Sequence, residues 1–331
     1  MGWRKVNMKI VTFYSYKGGT GRSLTLANVA CALNLSFKQI VGMVDLDCEA
    51  AALHELFQVN PGSANLLALL QPRNRSVTNL EQHVVSVPLG SGALRQLHLL
   101  PSVTDSRLID EIHWDAGVES FLQEEAFPAF GRVFALDYLL LDARSGVSSF
   151  ANFSLRICDL AVIVGRGDRQ HASGLKRIFE VCKAAGKPFH FVLNGCPAPE
   201  RNRGRIEQFA QKVGSPPDVV VPYPLDLFSR NGELEWGLYQ FCPVEQKREA
   251  VLVLNNTGRM DHGLVLQALR MIENLFGPER IHYLAKEDLV ASKIELLDRH
   301  RHDYSIVGQV AQHPGLLSQA HLGSPNGSTS P

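Results

Sequence analysis

Val11-Thr12-Phe13-Tyr14-Ser15-Tyr16-Lys17-Gly18-Gly19-Thr20-Gly21-Arg22-Ser23, running into Leu24-Thr25-Leu26-Ala27-Asn28-Val29-Ala30, is the stretch that decides the fold. Its β-branched and aromatic run predicts a buried parallel strand. Three glycines in four positions predict a tight loop, and the alanines and leucines beyond predict a helix to about Leu35. Strand, glycine loop and helix together form a phosphate cradle. Glycine lets backbone N–H groups turn inward with no Cβ in the way, and the helix N-terminus behind them carries about half a positive charge. Ser23, a hydroxyl in the first helical turn, stands where a Mg²⁺ bridging two phosphates is held.

The ordinary phosphate-loop pattern is G-x-x-x-x-G-K-[ST]. Here Tyr16 takes the place of the first Gly, and Arg22 takes the place of the Lys. What remains, Lys17-Gly18-Gly19-Thr20-Gly21-Arg22-Ser23, resembles the variant loop of the ParA/MinD family of dimeric P-loop ATPases, and within it the subgroup whose loop reads K-G-G-V-G-R-[ST]. The resemblance implies ATP and Mg²⁺ as cofactors, held by Gly18, Gly19, Thr20, Gly21, Arg22, Ser23 and Leu24. It also implies that Lys17 reaches across a dimer interface to the partner's nucleotide.

Downstream, Ile40-Val41-Gly42-Met43-Val44-Asp45-Leu46-Asp47 predicts a second buried strand ending in two carboxylates. Parallel strands end at one edge of a sheet and ligands sit outside those ends, so Asp45 and Asp47 belong beside the loop. Two readings stay open: carboxylates of the site, or caps for the next helix. By the resemblance, Asp47 lies in the switch that positions an attacking water, and Cys48-Glu49-Ala50-Ala51-Ala52-Leu53-His54 continues the subgroup's pattern. Leu136-Asp137-Tyr138-Leu139-Leu140-Leu141-Asp142 predicts an aliphatic strand ending in Asp, where a carboxylate can hold a Mg²⁺ hydration shell while Ser23 ligates the ion. Ser23, Asp47 and Asp142 are thus the metal-side residues.

Three further assignments rest on the resemblance. Gly146 matches a switch glycine that senses the γ-phosphate. Arg144 matches the subgroup's D-x-R-x-G and either neutralises charge on a transferred phosphoryl group or makes a surface ion pair. Asn194, ending the strand Phe189–Leu193, matches an adenine-binding amide, although a turn residue before Gly195 and Pro197 has an ordinary explanation too. Pro222, with Tyr223 and Pro224, resembles the segment beside the base.

Elsewhere the patterns predict a short helix at Ala64–Leu70, strands near Val84 and Leu97, and an amphipathic helix over Gly117–Phe130. A strand follows at Leu160–Gly165, then helices over Ala172–Ala185 and to about Val213, and a strand at Val219–Pro222. Further helices are expected at Gly263–Phe276 and His282–Leu297. The alternation predicts one doubly wound, mostly parallel α/β domain over 8–278, and the resemblance implies that it is of the ParA/MinD P-loop type. A helical extension at 279–311 and a disordered tail at 312–331 complete the chain.

Composition narrows the partners. Thirty-three basic and 33 acidic residues give zero net charge, which argues against binding DNA or anionic lipid through bulk electrostatics. Six scattered cysteines without a C-x-x-C pair read as reduced thiols. No long apolar run or signal-peptide pattern occurs in the 331 residues, so a cytoplasmic protein is expected. The implied function is a homodimer formed on ATP, hydrolysing it slowly and recruiting or releasing a protein partner. The alternative is an ATP-gated scaffold without turnover.

Overall fold

The computed structural model describes residues 8–35, 37–89, 96–112, 114–147, 149–222 and 262–275. The expected extension, tail, helix His282–Leu297, Tyr223 and Pro224 lie outside them. An eight-stranded sheet runs in the order β3-β4-β2-β5-β1-β6-β7-β8. Its strands are β1 (Lys9–Tyr14), β2 (Val41–Asp45), β3 (Val85–Pro88), β4 (Gln96–Leu100), β5 (Tyr138–Asp142), β6 (Leu160–Gly165), β7 (Phe189–Cys196) and β8 (Val219–Pro222). All neighbours are parallel except β3, which pairs antiparallel with β4 at the edge.

The central strands are continuous aliphatic runs because both faces are covered. Every residue of β2, β5 and β6 is buried. Side chains of β5 alternate between two cores: Leu140 joins one face, Leu139 and Leu141 the other. The first face is packed by α1 (Arg22–Leu35) and by the helix His262–Leu275, here α10. From Thr25 to Leu35 every residue of α1 is buried, so it is apolar nearly all round rather than striped.

The opposite face carries α3 (Leu66–Leu70), the long helical segment Ala116–Val133, α7 (Ser149–Ile157), α8 (Arg169–Ala184) and α9 (Arg203–Val213). Short helices α2 (Leu53–Leu56) and α4 (Ser106–Glu111) fill the connections.

Where the helices depart from expectation, a local cause is visible. α3 starts at Leu66 because the Asn65 side chain accepts from Ala68 N–H. α8 starts at Arg169, not Ala172, because Asp168 caps Gln170 and His171. The predicted helix Gly117–Phe130 is two α segments, α5 (Ala116–Ser120) and α6 (Phe127–Val133), joined by a π turn over Phe121–Ala126. Pro128 sits just beyond that turn; its ring clashes with the carbonyl four residues back, and the widened turn relieves the clash.

The sheet's N-terminal edge is tied by one repeated device. Asp137, Asp159 and Asp218 each precede a strand, and each carboxylate accepts from the N–H of another strand's start: Ile40 at 2.8 Å, Ile10 at 2.8 Å and Phe191 at 2.7 Å. These bonds fix the register at which strands enter, and therefore which residues stand at the far edge.

Leu140, fully buried in β5 beside β1, anchors that register. Leu140→Ala is expected to lower unfolding free energy by about 2–5 kcal/mol. Urea denaturation with an unchanged slope would check it.

Candidate functional site

The chain leaves β1 leftward to β2, crosses to the edge strand β3, comes back through β4 between them, returns to β5 beside β1, and continues rightward through β6, β7 and β8. Direction reverses at β1, and ligands in such sheets sit outside the strand ends at this reversal. The glycine loop lies there, between β1 and the N-terminus of α1. Gly19 and Gly21 take φ of +73° and +80°, which only glycine adopts without strain. A Cβ placed on Gly18 or Gly19 would face open space, so the loop's crest presents bare backbone.

The carboxyl ends of β2 and β5 bring the acids in. Register pairs Asp45 with Asp142 across the two strands, and both are fully buried. The two aspartates at the end of β2, its last residue Asp45 and Asp47 just beyond, divide the two readings between them. Asp45 accepts from the N–H groups of Asp47, Ala52 and Leu53 at 3.0–3.1 Å, and so moulds the turn that carries Asp47. Burial, reinforced by the charge of Asp142 opposite, pushes Asp45 up to about 8.

Asp47 instead faces Arg22. The guanidinium is buried and lies between two carboxylates: Nη2 is 2.9 Å from Asp47 Oδ2, and Nε donates to Asp142 Oδ1. Its third nitrogen, Nη1, is 3.5 Å from Ser15 Oγ. Desolvation works against the charge on Arg22, but Asp142 and then Asp47 overcome it and raise its pKa. Asp142 is itself raised, chiefly by burial, while Arg22 and the Ser23 hydroxyl pull the other way. Removing one member of such a buried group costs about 3–5 kcal/mol because the opposite charge is left bare.

The other sequence-derived residues fall around this core. Asn194 donates from Nδ2 to Thr20 O at 2.7 Å, and a Cβ on Gly21 would overlap that amide. Its side chain thus braces the loop. Gly146, at φ +94°, donates its N–H to Ser15 O and accepts at its carbonyl from the Tyr14 hydroxyl, tying the segment after β5 to the end of β1. Burial pushes the Tyr14 phenol up to about 12. Arg144 pairs with Glu49 at 2.6 Å, joining the segments after β5 and β2; both side chains are well exposed, so the pair adds little stability. Lys17 donates to Gln170 Oε1 at 3.3 Å, at the start of α8. Ser23 and Leu24 are half-buried in the first turn of α1. Pro222 ends β8 opposite Cys196, two strands from β6.

Whether the site suits a nucleotide phosphate with Mg²⁺ can be judged from its own atoms. Thr20 Oγ1 and Asp142 Oδ2 are buried and have no partner among the described residues. Such atoms are costly unless a ligand or ion satisfies them. Among the described residues no three His, Cys, Asp or Glu are grouped to hold a metal alone. A divalent ion here would therefore combine Asp47, Asp142 and Ser23 with oxygens from phosphate. The residues fit the group.

Gly174 is a residue that the sequence reading passed over. A Cβ there would overlap the Tyr16 ring, so Tyr16, standing where the ordinary loop has glycine, is accommodated by a glycine in α8. The available signal was a glycine inside an amphipathic helix, which marks close packing. Gly174→Ala is expected to destabilise by about 1–3 kcal/mol through overpacking. Tyr16→Ala should relieve most of that loss in the double variant. A double-mutant cycle by thermal denaturation, with a coupling well above the roughly 0.5 kcal/mol scatter of independent sites, checks the contact.

No family model matches the chain. It is 24% identical over 205 residues to the flagellum site-determining protein YlxH of Helicobacter pylori, across 62% of this chain and 64% of that protein. It is 29% identical over 134 residues to an uncharacterized ATP-binding protein of Methanocaldococcus jannaschii, across 37% of this chain and 51% of that one. In both cases less than two thirds of the relative is spanned. Among solved structures, septum site-determining protein MinD of Pyrococcus horikoshii, complexed with Mg-ADP, superposes with a TM-score of 0.54 at 20% identity, covering 82% of this chain and 98% of that one. The cell division ATPase MinD of Pyrococcus furiosus gives 0.55 at 21%, covering 84% and 99%. A ParA family ATPase from Chlorobium tepidum gives 0.55 at 20%, covering 79% and 98%. The described chain has the fold of the MinD and ParA P-loop ATPases.

Proposed function

We propose that the chain binds ATP with Mg²⁺, dimerises on it, hydrolyses it slowly, and uses the cycle to recruit or release a protein partner. The observation that carries this reading is the bare glycine crest between β1 and α1, with Arg22, Ser23, Asp47 and Asp142 gathered beside it at the sheet's switch point. The likeness to MinD with Mg-ADP supports the ligand, and the solved complex of MinC with MinD from Aquifex aeolicus, of TM-score 0.52, supports a protein partner.

Each residue has a task in this reading. Gly18 to Leu24 hold the phosphates through backbone N–H groups and the α1 N-terminus. Ser23, Asp47 and Asp142 would hold the metal, which would supply charge neutralisation at the phosphates. Asp47 orients the attacking water, Gly146 reports the presence of the terminal phosphate, and Arg144 stands ready to stabilise transferred charge once freed from Glu49. Lys17 serves the partner subunit's nucleotide; its weak tie to Gln170 is readily exchanged. Asn194 and Pro222 line the base end. Among the described residues no helix is long and apolar enough to cross a membrane.

A second reading keeps ATP and dimerisation but drops turnover, because Arg22 is a planar fork where the ordinary loop has a compact ammonium. Light scattering with no nucleotide, with ADP and with ATP plus Mg²⁺, alongside phosphate release, separates the two. The expected result is an ATP-specific doubling of mass with slow release that Asp47→Ala abolishes. Doubling without release gives the scaffold, and no response to ATP overturns both.

A further inference from the structure

Arg22 has all three of its nitrogens engaged inside the site, on Asp142, Asp47 and Ser15. Two of those partners are the carboxylates that, with Ser23, form the metal-side set. The two oxygens that Arg22 holds, Asp142 Oδ1 and Asp47 Oδ2, cannot ligate a divalent ion at the same time, and a guanidinium this close to Asp142 Oδ2 repels a cation there. The fork geometry matters: one planar group reaches Asp142 at the end of β5 and Asp47 just beyond β2 through two nitrogens held at a fixed spacing. Asp142 Oδ2 remains buried and without a partner among the described residues, so the guanidinium satisfies that carboxylate only in part.

We propose that Arg22 is the resident cation of the metal site in the nucleotide-free protein, an internal stand-in that keeps divalent metal out until phosphate draws it away. The inference rests on reading the loop as a nucleotide site and adds a regulation to it. Free protein does not take the metal; phosphate supplies a new anionic partner for Arg22, and only then do Asp47 and Asp142 become available. Nucleotide and metal therefore enter together. The guanidinium's departure also unties Asp47 from the loop, so one side chain links phosphate occupancy to the segment after β2. The scarcity of protein ligands points the same way, since among the described residues no three acidic, His or Cys side chains are grouped to hold a metal without help.

The test is Mn²⁺ binding to the full chain without nucleotide, followed by electron paramagnetic resonance of the free ion. Wild type is expected to bind weakly, and Arg22→Gln to bind at least about tenfold more tightly, because a nearby positive charge has been removed from a buried acidic pair. Thermal denaturation should show Mn²⁺ stabilising R22Q and leaving wild type unmoved. If R22Q does not fold, Arg22→Lys carries the comparison, with a smaller gain in the same direction, since lysine keeps the positive charge but lacks the fixed planar fork that engages both carboxylates. Equal affinity in wild type and the folded variant, or tight Mn²⁺ binding by wild type alone, overturns the proposal. Adding ATP is a separate arm: it should raise Mn²⁺ affinity in wild type far more than in R22Q. If ATP does not bind, the nucleotide reading fails, while the nucleotide-free comparison still decides whether Arg22 guards a cation site.

Discussion

A buried arginine held between the carboxylate that ends β5 and one just beyond β2 is the interaction on which the rest of the site depends. β2 and β5 run parallel and in register, so their carboxyl ends deliver Asp45, Asp47 and Asp142 into one small volume from which water is excluded. Acids so close and so buried repel one another and lose their hydration, which raises Asp45 and Asp142. Arg22 is the positive charge that makes the arrangement tolerable, and it comes from the first turn of α1, the helix that closes the glycine loop. Loop, helix and both acidic segments are thereby joined through one side chain.

The remaining contacts can be understood as ways of holding that geometry. Asp45 gives its carboxylate to three backbone N–H groups and shapes the turn that aims Asp47. Asn194 braces the loop from β7, Gly146 and Tyr14 join the segment after β5 to the end of β1, and Tyr16 packs on Gly174 of α8. At the opposite edge, Asp137, Asp159 and Asp218 set the register of strand entry. Carboxylates thus work at both ends of the sheet with different consequences. At the entry edge they satisfy backbone donors and fix alignment; at the exit edge Asp45 does the same for its turn, while Asp47 and Asp142 meet the charge of Arg22.

A change of residue at two loop positions is explained by what surrounds them. Tyr16 is tolerated because α8 has no side chain where its ring lies. Arg22 is suited to its place because two nitrogens of its planar fork each meet a different acid. Neither substitution removes the bare backbone crest formed by Gly18 and Gly19.

The amino-acid sequence by itself determined the layered α/β fold, the strand, loop and helix around the glycines, and the placement of Asp47 and Asp142 at strand ends. These follow from local rules: aliphatic runs bounded by turn residues, glycine clusters, and the fact that parallel strands end on one side. Helix starts at Leu66 and Arg169 and the π turn before Pro128 were legible only in outline, because caps and proline clashes shift boundaries by a few residues. Tertiary structure alone decided how the side chains were shared out. That Asp45 caps while Asp47 pairs, that Arg22 spans both acids, that Arg144 meets Glu49 and that Gly174 receives Tyr16 all join residues far apart in the chain. Periodicity describes which face a residue occupies; it carries no information about which distant partner will share that space.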